Sequence, residues 1–181
     1  MATQSVGSTA DQTNLGASVT LFVPITPSVA GSISAVGINS PESDGAAYAI
    51  QSALYSDSGG KPYALLANSG SLALSTGSHW YDVSLGTAYL DTSGTQYWMA
   101  LNNNDPSGEG SSGFWFYYAS GGSSYYASIG SLGTWPSTIS SGILTAYANT
   151  PNMRITYSPS GGPNPIEVIA HKFQPIFQFP V

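Results

Sequence analysis

The chain has no cysteine among its 181 residues, which excludes disulfide cross-links and thiolate metal sites and leaves the redox compartment open. It has only two histidines, His79 and His171, and neither stands in an H-x₃-H or H-E-x-x-H spacing, so no zinc pattern exists. Basic residues are as scarce: three Lys plus Arg face nine Asp plus Glu, for a formal charge of −6. Such a chain has no basic patch to neutralise a phosphate backbone or an anionic lipid surface, so neither nucleic acid nor membrane is an expected partner. No apolar run approaches the roughly 18 residues that span a bilayer, and no membrane insertion is expected. Charged residues make up 7% of the chain, against about a quarter in an ordinary domain, so Ser, Thr, Asn and backbone groups must keep the surface wet. Good helix formers are few and Gly occurs 21 times, which leaves hardly any helix to expect.

What is present is strand. Hydrophobic residues reach 41%, enough for a folded core at a length that suits one domain. Short β-branched or aromatic segments follow one another, punctuated by Gly, Ser, Asn and Pro: "SVTLFVPI", "GSISAVGINS", "AAYAIQSALYSD", "SGSLALST", "HWYDVSL", "TQYWMALNN", "GFWFYYAS", "SSYYASIG", "GILTAYA", "NMRITYSPS" and "PIEVIAHKF". That spacing predicts an all-β, antiparallel β-sandwich or barrel. In "GTQYWMALNNND", Tyr97, Met99 and Leu101 share one face and Trp98 and Ala100 the other; both faces read as covered, as in a central strand. In "NMRITYS", apolar Met153, Ile155 and Tyr157 alternate with Arg154 and Thr156, a half-buried pattern. A change of phase near Gln51 points to a bulge. In "ALYSDSGGKP" (53–62), Ser, Asp and two Gly between apolar runs predict a hairpin turn.

The expected organisation is an N-terminal arm (1–17), a sandwich (18–158) and a Gly/Pro linker with an apolar C-terminal tail (159–181). The arm is polar and is expected either to touch a neighbour or to be disordered; it has neither the basic nor the apolar region of a signal peptide, so the chain is expected to be mature or never exported by that route. The tail, "IEVIAHKFQPIFQFPV", must pack somewhere, because a free apolar segment invites aggregation. One account makes it a further strand of its own sandwich. The other makes Ile166, Val168, Ile169, Phe173, Ile176, Phe177 and Phe179 an assembly tail that adds as a strand to a neighbouring copy, producing an oligomer or polymer.

The succession "ALYSDSGGKPYALLANSGS", "HWYDVSL", "GTQYWMALNNNDPSG", "GSSYYASIGSLGTWPS" and "MRITY" resembles a jelly-roll-type β-sandwich module of bacteriophage tail-fibre and other virion surface proteins, and of bacterial cell-surface proteins. In such modules a LYSD-x-G-x-P hairpin precedes a Trp-bearing strand and a GT-x-YW strand. The resemblance covers roughly residues 33–158. It departs at Tyr63, where the pattern often has Gly, and finds no counterpart for the tail. It implies a single sandwich domain with a non-catalytic display or adhesion role on a virion or cell surface.

Catalytic patterns are wanting. Ser78, His79 and Asp82 lie along one strand, whose neighbouring side chains point to opposite faces, and no G-x-S-x-G elbow occurs. Glu42, Glu109, Glu167 and the six Asp are not paired by any pattern for glycoside hydrolysis, so no enzyme is expected. The loop "NNNDPSGEG" offers Asn102, Asn104, Asp105 and Glu109 as oxygen ligands for calcium, although the same residue types are the commonest turn formers and no EF-hand order is present. No other cofactor is expected. Aromatic residues carry the strongest chemical signal: Trp80, Tyr81, Trp115, Tyr117, Tyr125 and Trp135 concentrate in the middle of the chain. Outward-facing members on adjacent strands would form a platform for a cell-surface glycan or a partner protein, while inward-facing ones would fill the core. The expected function is a self-associating structural or display subunit of an assembled particle, first a phage virion. A subunit of an extracellular filament joined by donor-strand exchange comes next, then a carbohydrate-binding adhesion module.

Overall fold

A computed structural model describes residues 1–15, 19–41, 49–104, 114–129 and 132–160. Its strands are β1 (Ala2–Val6), β2 (Asp11–Leu15), β3 (Val19–Ile25), β4 (Gly31–Ser40), β5 (Ala49–Asp57) and β6 (Pro62–Asn68). They continue with β7 (Leu72–Ala73), β8 (His79–Leu90), β9 (Tyr97–Asn103), β10 (Phe114–Ser128), β11 (Thr145–Pro151) and β12 (Met153–Pro159). One 3₁₀ turn, Ser141–Ile143, precedes β11, and no α-helix occurs among the described residues. Two antiparallel sheets pack as a β-sandwich: a small one in the order β1-β12-β4-β8 and a large one in the order β11-β10-β3-β9-β5-β6, with β2 paired to β10 and β7 to β5.

The alternation read from the sequence builds the space between the sheets. Ile33, Val36 and Ile38 of β4, Tyr81, Val83 and Leu85 of β8, and Met153, Ile155 and Tyr157 of β12 face Leu21, Val23, Ile25, Ile50, Leu54, Tyr97, Met99 and Leu101 of the large sheet. β9 is buried at every position, as its two apolar faces foretold. Its other face, with Phe22, Ala53, Tyr55, Ala100 and Ala127, forms a second core roofed by Ile129, Trp135, Ile139 and Leu144. The middle of the large sheet, β3, β9 and β5, is therefore covered on both sides. β5 runs in unbroken register with β9 from Ile50 to Ser56, whereas on its other edge the pairing slips by one residue between Ile50↔Leu72 and Ala53↔Asn68, around Gln51, and again between Leu54 and Asp57, the extra residues lying on the partner strands. The phase change near Gln51 arises because residues 50–55 are buried on both faces.

The segments "GFWFYYAS" and "SSYYASIG" are one long strand with a bend. Leu15 of β2 pairs with Phe114 and Val19 of β3 pairs with Ser128, at opposite ends of β10. Four residues reach at most about 14 Å, whereas fourteen extended residues cover about 45 Å, so β10 must bend strongly. The register with β11 shifts between Ser120 and Ser124, a bulge at which the strand can bend while β11 pairs on either side of it. Two glycines make it sterically feasible: Gly121 has φ +78°, and a Cβ on Gly122 would overlap the Thr150 hydroxyl.

Residues read as an arm are edge strands here. β1 pairs with β12 from Ala2↔Tyr157 to Val6↔Met153. Both ends of the Gln4 carboxamide are engaged, Nε2 donating to Thr26 O (2.8 Å) and Oε1 accepting from Ser28 N (3.0 Å). Backbone pairing, which needs no apolar side chain, holds most of this polar sequence, and Ala2 and Val6 pack against the core. The apolar tail lies outside the described residues.

Candidate functional site

The hairpin of β5 and β6 turns on Asp57. Gly59 and Gly60 take φ of +62° and +76°, a left-handed pair that favours glycine, and Ser58 N donates to Lys61 O (2.9 Å). The Asp57 carboxylate accepts from Gly60 N (3.1 Å), Gln96 Nε2 (2.9 Å) and Trp98 Nε1 (2.8 Å). Its charge thus closes the turn and satisfies the indole N–H of a tryptophan that is 1% exposed. Across the turn, Ile139 N donates to Tyr63 O (2.7 Å) and Leu65 N to Ser137 O (2.9 Å), so residues 137–139 line the outer edge of β6. A groove of about 440 Å³ opens there, lined by Ser58, Gly59, Lys61, Tyr63, Ser140 and Ser141.

On the outer face of the small sheet, Arg154, Gly37 and Asp82 stand in one row across β12, β4 and β8. Arg154 spans the glycine to make a two-pronged pair with Asp82, Nε donating to Oδ1 at 2.8 Å and an Nη to Oδ2. Its guanidinium carbon also lies 4.1 Å from the centre of the Trp80 ring. A Cβ on Gly37 would fall on Asp82 Oδ1, so the glycine makes the pairing possible.

The six aromatic residues singled out in the sequence do not form one platform. Trp80 holds Arg154 outside, while Tyr81 on the same strand is buried, donates its hydroxyl to Ser75 O (2.6 Å) and packs edge-on to Phe114. Trp115 and Tyr117, half-buried, alternate with the buried Phe114 and Phe116 on β10. Tyr125 and Trp135 belong to the second core, with Tyr125 against Trp98 (5.5 Å between ring centres) and Trp135 against Tyr55 (6.4 Å). Burial pushes the Tyr55 phenol well above its ordinary range, and its hydroxyl donates to Pro136 O (2.9 Å).

Of the proposed calcium ligands, Asp105 and Glu109 lie outside the described residues. Asn102 is buried beside Thr20 on β3, and both its Oδ1 and the Thr20 hydroxyl are without a hydrogen-bond partner. Asn104 Oδ1 accepts from Ala49 N (2.7 Å), a clamp between loop and strand. Asn102 and Asn104 alone bring no charge to a cation. No group of three or more His, Asp or Glu gathers among the described residues, and no helix among them is long and apolar enough to cross a membrane.

Sheet edges are the remaining feature. β6 is covered by residues 137–139, and the loop after it is bridged to β8 through Ser69↔Leu85. β11 has β10 on one side and no strand on the other among the described residues. Its sequence, TAYANTP, carries no charge, and its single proline stands at the end. Sequence reasoning passed over this edge and the groove, although the lack of charge in "ILTAYANT" is the signal that marks an unguarded strand.

No protein-family model matches the chain, and no curated protein is significantly similar to it.

Proposed function

We propose that the chain is a non-enzymatic structural and display subunit of an assembled particle, a self-associating fibre or decoration subunit on the surface of a phage virion. The observation that carries this is the edge of β11: seven residues of uncharged strand, without lysine or internal proline and, among the described residues, without a covering strand, the devices by which monomeric sheets discourage strand addition. The apolar tail supplies a candidate donor, "IEVIAHKF", beyond the Gly/Pro linker. Support also comes from how the described charges are used. Asp57 secures a turn, Asp82 pairs with Arg154, Asp91 accepts from Gly31 N, and His79 contacts Thr76 O, all within the frame of the sandwich. The same edge suits a filament joined by donor-strand exchange, which differs in the particle and not in the contact.

Light scattering over a range of concentrations, with negative-stain images of the same sample, tests the proposal. Oligomers or filaments are expected for the full chain. Deleting 166–181, or introducing Ala148→Lys on β11, should leave folded monomers. A full chain that stays monomeric at every concentration would refute it.

A further inference from the structure

We propose that the groove at the tip of the β5–β6 hairpin binds a sugar carrying a carboxylate, of the uronic acid type. The inference goes beyond the assembly role and holds for a monomer or a polymer alike.

Four observations meet at this groove. Lys61 is the one lysine among the described residues and makes no ion pair among them. The nearest acid in sequence, Asp57, makes no ion pair with it and has its carboxylate engaged by Trp98, Gln96 and Gly60. Tyr63, close by on β6, is 50% exposed, the most exposed aromatic ring among the described residues. Ser58, Ser140 and Ser141 add hydroxyls around a space of about 440 Å³, within the roughly 300–1,000 Å³ of small-molecule sites.

The walls are set in advance. The Tyr63 carbonyl is fixed by Ile139 N, the turn is closed by Ser58 N on Lys61 O, and buried Ile139 forms the floor. Ser140 Oγ accepts from Gly142 N (3.4 Å) and keeps its own proton free to donate.

The chemistry selects the ligand class. An exposed phenol ring stacks on the C–H face of a pyranose, and hydroxyls hydrogen-bond its hydroxyls. A lone ammonium balances one carboxylate. A phosphate or a polyanion calls for more donors than one lysine, and a chain of formal charge −6 repels polyanions at long range. In this site Lys61 pairs with the carboxylate, Tyr63 stacks on the ring, and Ser140 and Ser141 orient it.

The test is saturation-transfer NMR with calorimetry on the full chain, using methyl β-D-glucuronide, its neutral glucoside and acetate as probes. The glucuronide should receive saturation on its ring protons and bind about tenfold more tightly than the glucoside, the worth of one charge-assisted hydrogen bond. Lys61→Met should remove that preference, Tyr63→Ala should abolish binding, and Tyr63→Phe, which keeps the ring, should retain it. Added salt should weaken the glucuronide alone. The proposal falls if the glucuronide receives no saturation or the glucoside binds equally well. It falls equally if acetate displaces the glucuronide as effectively as free glucuronide does, or if both Lys61→Met and Tyr63→Ala leave binding unchanged.

Discussion

Replacing Gly37 by alanine isolates the contact that ties β12 to β8. A glycine inside a strand costs about 0.5–1 kcal/mol relative to alanine, so on propensity alone Gly37→Ala should stabilise the protein. The structure reverses that sign. The new methyl group would occupy the place of Asp82 Oδ1 and stand 3.1 Å from the Tyr81 carbonyl, so the carboxylate must swing away. The two-pronged pair with Arg154 is then lost. The Arg154 and Asp82 side chains are 21% and 35% exposed, so the pair is worth about 1 kcal/mol at most. The guanidinium stack on Trp80 adds about 0.5–1 kcal/mol, and crowding of a strand carbonyl costs more. After the propensity gain, a net destabilisation of about 1–2 kcal/mol remains. In urea, with a slope near 2 kcal/mol/M, the midpoint should fall by about 0.5–1 M. An Asp82→Ala background checks the cause: without the carboxylate, the same glycine substitution should cost little or become stabilising. A Gly37→Ala variant as stable as the parent, or equally harmful with and without Asp82, would refute the account.

Three further outcomes are expected. Asp57→Ala leaves the Trp98 indole N–H and the Gln96 amide without their acceptor and should cost about 2–3 kcal/mol, seen as a lower melting temperature and altered Trp98 fluorescence. Burial raises the Tyr55 phenol, and chiefly burial also raises those of Tyr89 and Tyr147; their stabilising contribution is full below pH about 10, where unfolded tyrosines begin to ionise, and is lost as pH rises further. Tyr55→Phe should therefore flatten the alkaline decline measured by urea titration between pH 9 and 11. Thr20→Val removes a buried hydroxyl that has no partner and should leave stability unchanged or raise it by up to about 1 kcal/mol, the reverse of the usual effect of deleting a polar group.

Strand character was legible wherever one chain segment carried the whole pattern. Tyr97–Asn103 and Met153–Pro159 announced their faces because period-two alternation is local, and Asp57, Gly59 and Gly60 announced a turn because left-handed φ is a glycine property. What escaped was register. Arg154 meets Asp82 across 72 positions, and nothing within either segment names the other. The second core escaped for the same reason: nothing in the segments around Ile129, Trp135 and Ile139 names Tyr55 and Trp98, which they roof. The polar first residues looked unanchored because most of their hold on β12 is backbone pairing, which any sequence can make, with Ala2 and Val6 adding contact to the core.

That pairing of β1 with β12 also sets a clock. Ala2 leaves a ribosome some 150 positions before its partner Tyr157. At 5–20 residues per second, β1 therefore waits roughly eight to thirty seconds for β12. Until then β4 has no neighbour on its β12 side, and a chain nearly devoid of charge must hold a half-built sheet apart from its siblings on the same message.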